Sequence, residues 1–194
     1  MAALVLAAGG SSRLGRPKQL EPWGATTLLG QVMETVSQAG FDEKFLVLGS
    51  NSEKILDRVH LDGWTVVENP EWEEGLASSL RVGLDAMTRL ARSEIAFIFL
   101  GDQPDVDDEV IGRLWEVAEK SKRQAIVPKY RYIWSNPVVV AKTLWPRLMS
   151  LTGDEGGQRL LQAHPEWVEE VWFERRPPRD VDTETDVSDL RPRH

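Results

Sequence analysis

Short apolar runs alternate along the chain with longer stretches in which apolar residues recur every three to four positions. The short runs are rich in β-branched or aromatic residues and end at Gly or Asn-Pro. This is typical of strands covered on both faces of a sheet. They predict strands over residues 3–8, 44–48, 64–68 and 95–100, and further strands near 125–127, 137–140 and 168–173.

The periodic stretches between these runs are typical of amphipathic helices. They predict helices over residues 28–39, 52–59, 76–90, 108–120, 144–151 and 157–163. Thr27 is placed to cap the first helix and Gly40 to end it. Ser50 and Glu53 form a capping-box pattern at the start of the second helix. Pro146 falls in a first helical turn, where its missing N–H costs little.

Alternation of strands and helices at this spacing predicts an α/β fold that is Rossmann-like, with a mainly parallel sheet and helices on both faces. The chain has no internal repeat and no linker-like tract, so residues 1–194 are expected to form a single domain. Ligands of such folds bind outside the carboxyl ends of the strands. The loops that follow residues 8, 48, 68 and 100 are therefore where chemistry is expected.

Composition narrows the function classes. The 194 residues carry 23 Lys and Arg against 31 Asp and Glu, a formal charge of −8, and this argues against nucleic acid or an anionic membrane as the main partner. No cysteine is present, which removes disulfides, thiolate metal sites and a Cys nucleophile. The pattern shows neither a signal peptide nor a transmembrane helix, and we expect a cytoplasmic protein.

A Gly-rich and basic loop follows the first strand. Its glycines allow backbone N–H groups to approach an anion, and Arg13, Arg16 and Lys18 add positive charge. Gly10 and Gly15 have the separation of a Walker A motif, but Arg16 and Pro17 replace the Lys and hydroxyl residue of that motif. A P-loop NTPase is therefore disfavoured. The alternative is a Gly-rich turn with solvated basic side chains.

Two acidic segments are candidates for binding a metal ion. Asp102 follows the strand over residues 95–100, where a carboxylate can face the crevice and hold Mg²⁺. Asp180 and Asp182 lie near the C-terminus. Taken alone, Asp102 is equally well a turn residue, and the C-terminal pair is better explained as a solvated segment.

Six segments in order carry a resemblance to a known family: LAAGGSSRLGRPKQL (6–20), EGLASSLRVGL (74–84), GDQP (101–104), SNPVVV (135–140), GDEGGQRLL (153–161) and DVDT (180–183). Through them the chain resembles the molybdenum-cofactor nucleotidyltransferases, in particular the molybdopterin cytidylyltransferase-like branch, over essentially its whole length. The resemblance implies a nucleotide-binding half over about residues 1–104 and an acceptor-binding half over about 105–194. It also implies Mg²⁺-dependent transfer of CMP from CTP to a phosphorylated small molecule, molybdopterin, with release of pyrophosphate.

The resemblance also implies site residues. Lys18, Arg13 and Asp102 would be catalytic, and Asp102 and Asp182 would bind Mg²⁺. Asn136, Ser78, Ser79 and the 153–159 loop would face the acceptor. The residues that would bind the nucleotide are Leu6, Ala7, Ala8, Gly9, Gly10, Ser11, Ser12, Arg13, Gly15 and Lys18. Within the 153–159 loop, the acceptor residues would be Asp154, Gly156 and Arg159.

Several alternatives remain open. Ala8 favours CTP, because guanylyl-transferring members tend to carry Gly there, but GTP is a second donor. Ser135 replaces a usual glycine and the loop over residues 129–134 is short, so another phosphorylated acceptor is an alternative. A third hypothesis is a non-catalytic nucleotide-binding protein that contacts a molybdoenzyme or its maturation factor transiently. Intact Lys18, Asp102 and Asp182 argue against this last hypothesis.

Overall fold

The computed structural model describes residues 1–181 and 183–186. In this part of the chain the strands are β1 (Ala2–Leu6), β2 (Pro22–Trp23), β3 (Thr26–Thr27), β4 (Glu43–Leu48), β5 (Trp64–Glu68), β6 (Ile95–Leu100), β7 (Ala125–Tyr130), β8 (Ile133–Trp134), β9 (Val138–Ala141) and β10 (Val168–Phe173). The helices are α1 (Leu28–Gln38), α2 (Ser52–Leu56), α3 (Leu76–Leu90), α4 (Asp108–Ala118), α5 (Trp145–Met149) and α6 (Gly157–Ala163). None of the helices described combines the length and apolar character that crossing a membrane requires.

The main sheet has the strand order β10-β7-β9-β6-β1-β4-β5, with β8 paired to β7. β1 pairs in parallel with β4 on one side and with β6 on the other. β9 runs antiparallel to both β6 and β7. The sheet is mixed and mostly parallel, which confirms the predicted α/β class.

Side chains of β1 alternate between two cores, because successive residues of a strand point to opposite faces. Ala3 and Val5 join the core that contains the apolar face of α1 and α4. Leu4 joins the opposite core, with Leu84 of α3 and Trp145 of α5. Helices therefore cover both faces of the sheet, as the apolar strand pattern predicts.

Several element bounds agree with the sequence patterns. α3, α6, β5, β6 and β10 have the predicted bounds, and α1 and α4 end one or two residues early. Thr27 caps α1, since its Oγ1 accepts a hydrogen bond of 3.0 Å from Gly30 N. Pro146 lies in the first turn of α5, as predicted.

Two local predictions are wrong. No capping box forms at α2, which begins after Asn51 in the left-handed region (φ 57°) with no side-chain cap bond, while the Ser50 hydroxyl accepts from Asn51 Nδ2 at 2.8 Å. β7 continues past residue 127 to Tyr130, turns at Arg131 (φ 56°) and pairs with β8. The loop expected over residues 129–134 is thus a short hairpin.

The sheet positions the site through β1. The chain leaves β1 to reach β4 on one side and returns later to β6 on the other, so the strand order reverses at the carboxyl end of β1. Crevices at such a switch point are the usual ligand sites of open α/β sheets. The loops after β1 and β6 meet there.

Candidate active site

A cavity of about 460 Å³ opens at the carboxyl ends of β1 and β6; we call it the first cavity. Its volume falls in the range of small-molecule sites. It is lined by residues 6–13, Lys18, Gln19, Trp72, Glu73, Gly75, Leu76, Ser79, Leu100, Gly101, Asp102, Asp154 and Asp180.

Gln19 shapes the Gly-rich loop (residues 7–18) from below. This buried amide donates from Nε2 to Ala7 O at 2.9 Å and to Gly9 O at 3.0 Å. Ser11 adopts φ 53°, and its hydroxyl accepts from Lys18 N at 3.0 Å. Within the described residues, the amides of residues 9–12 donate to no protein acceptor. Backbone N–H groups exposed in such a turn form a nest for an anion.

Trp72 covers the loop because two glycines leave room for it. A Cβ at Gly10 would lie 2.6 Å from Trp72 Cζ3, and one at Gly49 would lie 2.6 Å from Trp72 Cβ. Glycine is therefore required at both positions for the indole to pack here. The indole forms one wall of the first cavity.

Lys18 and Asp102 meet at the floor of the first cavity. Lys18 Nζ lies 2.5 Å from Asp102 Oδ2, and the two side chains are 15% and 19% exposed. The low exposure strengthens the interaction of each group with a bound charge, since less water screens it. The loop after β1 and the loop after β6 thus bring a cation and a carboxylate to one place.

The predicted nucleotide residues lie together, with one exception. Leu6, Ala7, Ala8, Gly9, Gly10, Ser11, Ser12, Arg13 and Lys18 all line the first cavity. Gly15 does not; it turns the loop with φ 69°, and its amide donates to Ser11 O. Arg16 does not line the cavity either, although the sequence suggested that it adds charge there. Its guanidinium lies between Glu21 and Glu184, with Nη2 at 3.1 Å and 3.0 Å from their oxygens.

One of the two predicted metal residues lies in the described part of the chain. Asp102 lines the first cavity, whereas Asp182 lies outside the described residues. Asp180 also lines the cavity, and its Oδ1 accepts from Gln103 Nε2 at 2.8 Å. Among the described residues, no three or more His, Cys, Asp or Glu side chains are grouped so that they could hold a metal ion. Asp102 alone still fits Mg²⁺, which commonly takes one or two carboxylates together with substrate phosphates.

A second cavity of about 790 Å³ adjoins the first. Both cavities are lined by Leu6, Leu76, Leu100 and Asp154. The second has an apolar floor built by Leu80, Ile98, Val138, Val140, Leu148 and Leu161. Its polar rim consists of Asn136, Asp154, Glu155, Gln158, Arg159 and Gln162.

The predicted acceptor residues divide between three places. Asn136, Asp154, Gly156 and Arg159 line the second cavity, and Asp154 lies where it borders the first. Ser79 lines only the first cavity. Ser78 lines neither, because its hydroxyl is buried and donates to Gly75 O at 2.8 Å.

Asn69 holds the side chains of Ser78 and Ser79 in place. It follows β5, is wholly buried, and donates from Nδ2 to Ser78 Oγ at 2.9 Å and Ser79 Oγ at 3.1 Å. Its Oδ1 accepts from Glu71 N at 3.0 Å. Asn69 therefore fixes the start of α3 beside the first cavity.

Charge pairing stabilises the segment between Trp72 and α3. Arg81 of α3 donates to Glu74 and Glu71. The hydrogen bond from Arg81 lowers the pKa of Glu74 below its usual range, although partial burial opposes this. The Glu74 carboxylate therefore stays ionised at neutral pH.

The sequence patterns did not identify three residues that shape the site: Gln19, Asn69 and Trp72. From the sequence, the Asn-Pro at 69–70 indicates only the end of a strand. Buried polar side chains that hydrogen-bond neighbouring segments produce no recognisable pattern in the local sequence. A buried position for Gln19 shows only once the loop has folded around it.

A Gly-rich loop and a Lys–Asp pair at the switch point of a mostly parallel sheet are typical of nucleotide-binding α/β proteins. The family model described as a MobA-like NTP transferase domain matches residues 3–168. The chain therefore belongs to the MobA-like NTP transferases and is a nucleotidyltransferase of that family.

Individual relatives carry different functional names. The chain is 30% identical to nicotine blue oxidoreductase of Paenarthrobacter nicotinovorans, over 85% of this chain and 82% of that protein. It is 26% identical to the molybdenum cofactor cytidylyltransferase of Escherichia coli, over 72% and 69% of the two chains. The crystal structure of Rv0371c from Mycobacterium tuberculosis superposes with a TM-score of 0.86 at 36% identity, covering 97% of this chain and 95% of that one. Rv0371c has also been solved in complex with manganese.

Proposed function

We propose that this nucleotidyltransferase transfers CMP from CTP to molybdopterin in the presence of Mg²⁺ and releases pyrophosphate. The observation that carries the proposal is the pair of adjoining cavities. The first has an anion nest with Lys18 and Asp102, and the second has an apolar floor with a polar rim. A donor and an acceptor bound side by side can react in line without a nucleophile supplied by the protein.

The donor triphosphate is assigned to the first cavity. The backbone amides of residues 9–12, with Arg13 and Lys18, would bind its oxygens. A phosphate oxygen of the acceptor attacks the α-phosphorus, the bond from that phosphorus to the bridging oxygen breaks, and pyrophosphate leaves. Negative charge grows on the bridging oxygen during this step, and the Lys18 ammonium stabilises it there.

Asp102 would hold the divalent ion. When bound, such an ion neutralises phosphate charge next to the leaving group. Lys18, which now pairs with Asp102, would then contact the triphosphate. Support for a divalent cation comes from the manganese complex of Rv0371c, and Mg²⁺ is the ion that we propose for this chain.

The acceptor is assigned to the second cavity. Its apolar floor suits a flat ring system, and the amides of Asn136, Gln158 and Gln162 offer both donors and acceptors to ring heteroatoms. Asp154 lies where this cavity meets the first, so an acceptor group that reaches the donor must pass it.

Oxidoreduction of a flat heterocycle is a second candidate. It is favoured by the relative named nicotine blue oxidoreductase together with the apolar floor of the second cavity. A nicotinamide dinucleotide would then occupy the first cavity as reductant, and no pyrophosphate would be released.

The test is pyrophosphate release by the purified protein with Mg²⁺, molybdopterin and each of CTP, GTP, ATP and UTP. Release with CTP that is lost in Lys18→Met and kept in Lys44→Met supports the proposal, because Lys44 lies in β4 outside the first cavity. Release with GTP alone would overturn the choice of base. If no pyrophosphate is released with any of the four nucleotides and the protein catalyses oxidation of NADH or NADPH by nicotine blue, the second candidate would replace the proposal.

A further inference from the structure

Val181 is wholly buried although the residues on either side of it are acidic. It packs with Leu14 and Leu28 in a small apolar cluster separate from the two main cores, and Trp23 covers this cluster. Leu14 belongs to the Gly-rich loop and follows Arg13 directly. A residue near the C-terminus therefore packs against the loop that forms the first cavity.

Polar contacts fasten the neighbours of Val181 to the loop after β6. Val181 N donates to Asp102 O at 3.3 Å. Asp180 accepts from the side chain of Gln103 at 2.8 Å and lines the first cavity. The packing of Val181 thus also determines where the Asp180 carboxylate lies.

Arg16 makes a further link between the Gly-rich loop and the C-terminal segment. Its guanidinium pairs with Glu184, 168 residues away, and with Glu21 just after the loop. The Arg16 side chain is 45% exposed, so the ion pair is expected to contribute less than the burial of Val181. We call Asp180, Val181 and Glu184 together the C-terminal tie.

We propose that Val181 is a positioning residue of the first cavity, assisted by Arg16 and Glu184. Through the C-terminal tie it holds the Gly-rich loop in the conformation that binds the triphosphate. A loop rich in glycine loses much conformational entropy on ordering, and a loop ordered before the ligand arrives binds more tightly. The proposal rests on the proposed function only for the identity of the nucleotide.

Val181→Ala tests this, with Val181→Ile as the conservative replacement and Val171→Ala as the matched control. Val171 is also buried but belongs to β10, away from the loop. Hydrogen exchange reports the loop directly, because the amides of Leu14 and Gly15 both donate to Ser11 O. Calorimetry with CTP and Mn²⁺ reports nucleotide affinity without any turnover.

We expect Val181→Ala to speed exchange at Leu14 and Gly15 and to weaken CTP binding, each about tenfold, since truncation removes apolar burial from a small cluster. Val181→Ile should keep the exchange rates and the CTP affinity close to those of the parent. Val171→Ala should lower the Tm without changing either. Parent-like exchange and CTP affinity in Val181→Ala would overturn the proposal.

Glu184→Gln keeps the test decisive if Val181→Ala fails to fold. Glu184 is two-thirds exposed, and its replacement removes the charge that faces Arg16. Faster exchange at Gly15 in this variant supports the C-terminal tie, and unchanged exchange contradicts it. If the parent protein binds neither CTP nor GTP, the proposed function fails while the exchange data still decide whether the C-terminal tie orders the loop.

Discussion

Lys18 and Asp102 lie 84 residues apart in the chain and 2.5 Å apart in the structure. Lys18→Met should lower kcat/KM for nucleotidyl transfer by about 10² to 10³, because one charged contact to the developing charge is lost. Initial rates of pyrophosphate release over a range of CTP concentrations measure this. Lys44→Met controls for the loss of a lysine elsewhere, and near-parent kcat/KM in Lys18→Met would remove Lys18 from the mechanism.

Asn69 permits a prediction about stability instead of catalysis. Asn69→Ala should lower the free energy of unfolding by about 2 kcal/mol, because the buried hydroxyls of Ser78 and Ser79 and the amide of Glu71 lose their shared partner. Urea denaturation measures the change. Gln38→Ala is a suitable comparison, since Gln38 Nε2 donates to the Glu34 carboxylate at an exposed site and its loss should cost less. Equal losses in the two variants would contradict the role given to Asn69.

Single residues were predictable from sequence to the degree that they recur in a motif. Lys18 and Asp102 stand in segments shared with the family, and the structure brings them together. Arg16 looked equivalent to Lys18 by charge and position, but its pairing with Glu21 and Glu184 depends on a segment that local patterns do not place. Ser79 and Ser78 are adjacent in sequence, and only the helical geometry of α3 separates their surroundings.

At the scale of elements, α3 contacts the 153–156 loop where the two cavities adjoin. Gly75 precedes α3 with φ 115°, and a Cβ there would lie 2.7 Å from the backbone carbon of Gly153. Gly75→Ala should therefore displace the loop that carries Asp154, because backbone atoms cannot yield as a flexible side chain would. We expect weaker binding of both nucleotide and acceptor, measurable by calorimetry, together with a lower Tm.

Gly112→Ala provides the control for that substitution. Gly112 is exposed within α4, and a Cβ at this position would meet nothing within 4 Å. Alanine there should raise the free energy of unfolding by about 0.5–1 kcal/mol. Ligand affinity in Gly75→Ala equal to that in Gly112→Ala would show that the close approach to Gly153 is unimportant for the site.

Hydrophobic periodicity predicted the elements well and their pairing less well. The bounds of α3 follow directly from its apolar stripe, and β6 is a continuous apolar run. The same signal does not distinguish strand direction, so antiparallel β9 was not foreseen. β8 has only two residues, and its pairing with β7 comes from a turn at Arg131 in the left-handed region, a conformation that a non-glycine residue gives little sign of adopting.

At the scale of the whole molecule, the segment after β10 connects both halves of the chain, and this could not be predicted from periodicity. Arg175 pairs with Asp107 at the start of α4, with Nη2 at 2.8 Å from Oδ1. Further along, Val181 packs against Leu14 near the other end of the sequence. Such contacts join residues that are far apart in the sequence. They depend on the shape and charge of two distant segments matching each other, and a short stretch of sequence does not show this.

The Asp107–Arg175 pair makes the free energy of unfolding depend on pH in the acid range. The hydrogen bond from Arg175 lowers the pKa of Asp107, which also caps α4 by accepting from Val110 N at 3.1 Å. A carboxyl whose pKa is lowered in the folded state contributes stability above its unfolded pKa of about 4, and this is lost as pH falls through the folded value. The difference in unfolding free energy between the parent and Arg175→Gln should therefore be largest above about pH 5 and shrink towards pH 2. A difference that stays constant with pH would contradict the pairing.

Tyr130 makes the free energy of unfolding depend on pH in the alkaline range, because its pKa is raised in the folded state, whereas that of Asp107 is lowered. The ring is buried and stacks on Phe173. Burial raises the pKa of Tyr130 to about 12, so the folded state holds this proton more tightly than the unfolded state, in which the pKa is about 10. The resulting stability is complete below pH 10 and is lost as pH rises from there through 12.

Tyr130→Phe keeps the ring packing and removes the titrating group, so its unfolding free energy should fall less steeply than that of the parent over this interval. Tyr132→Phe is the matched control for the loss of a tyrosine hydroxyl, because Tyr132 is 87% exposed. Equal alkaline slopes in the parent and Tyr130→Phe would show that the unfolded chain, not this buried phenol, governs the alkaline loss of stability.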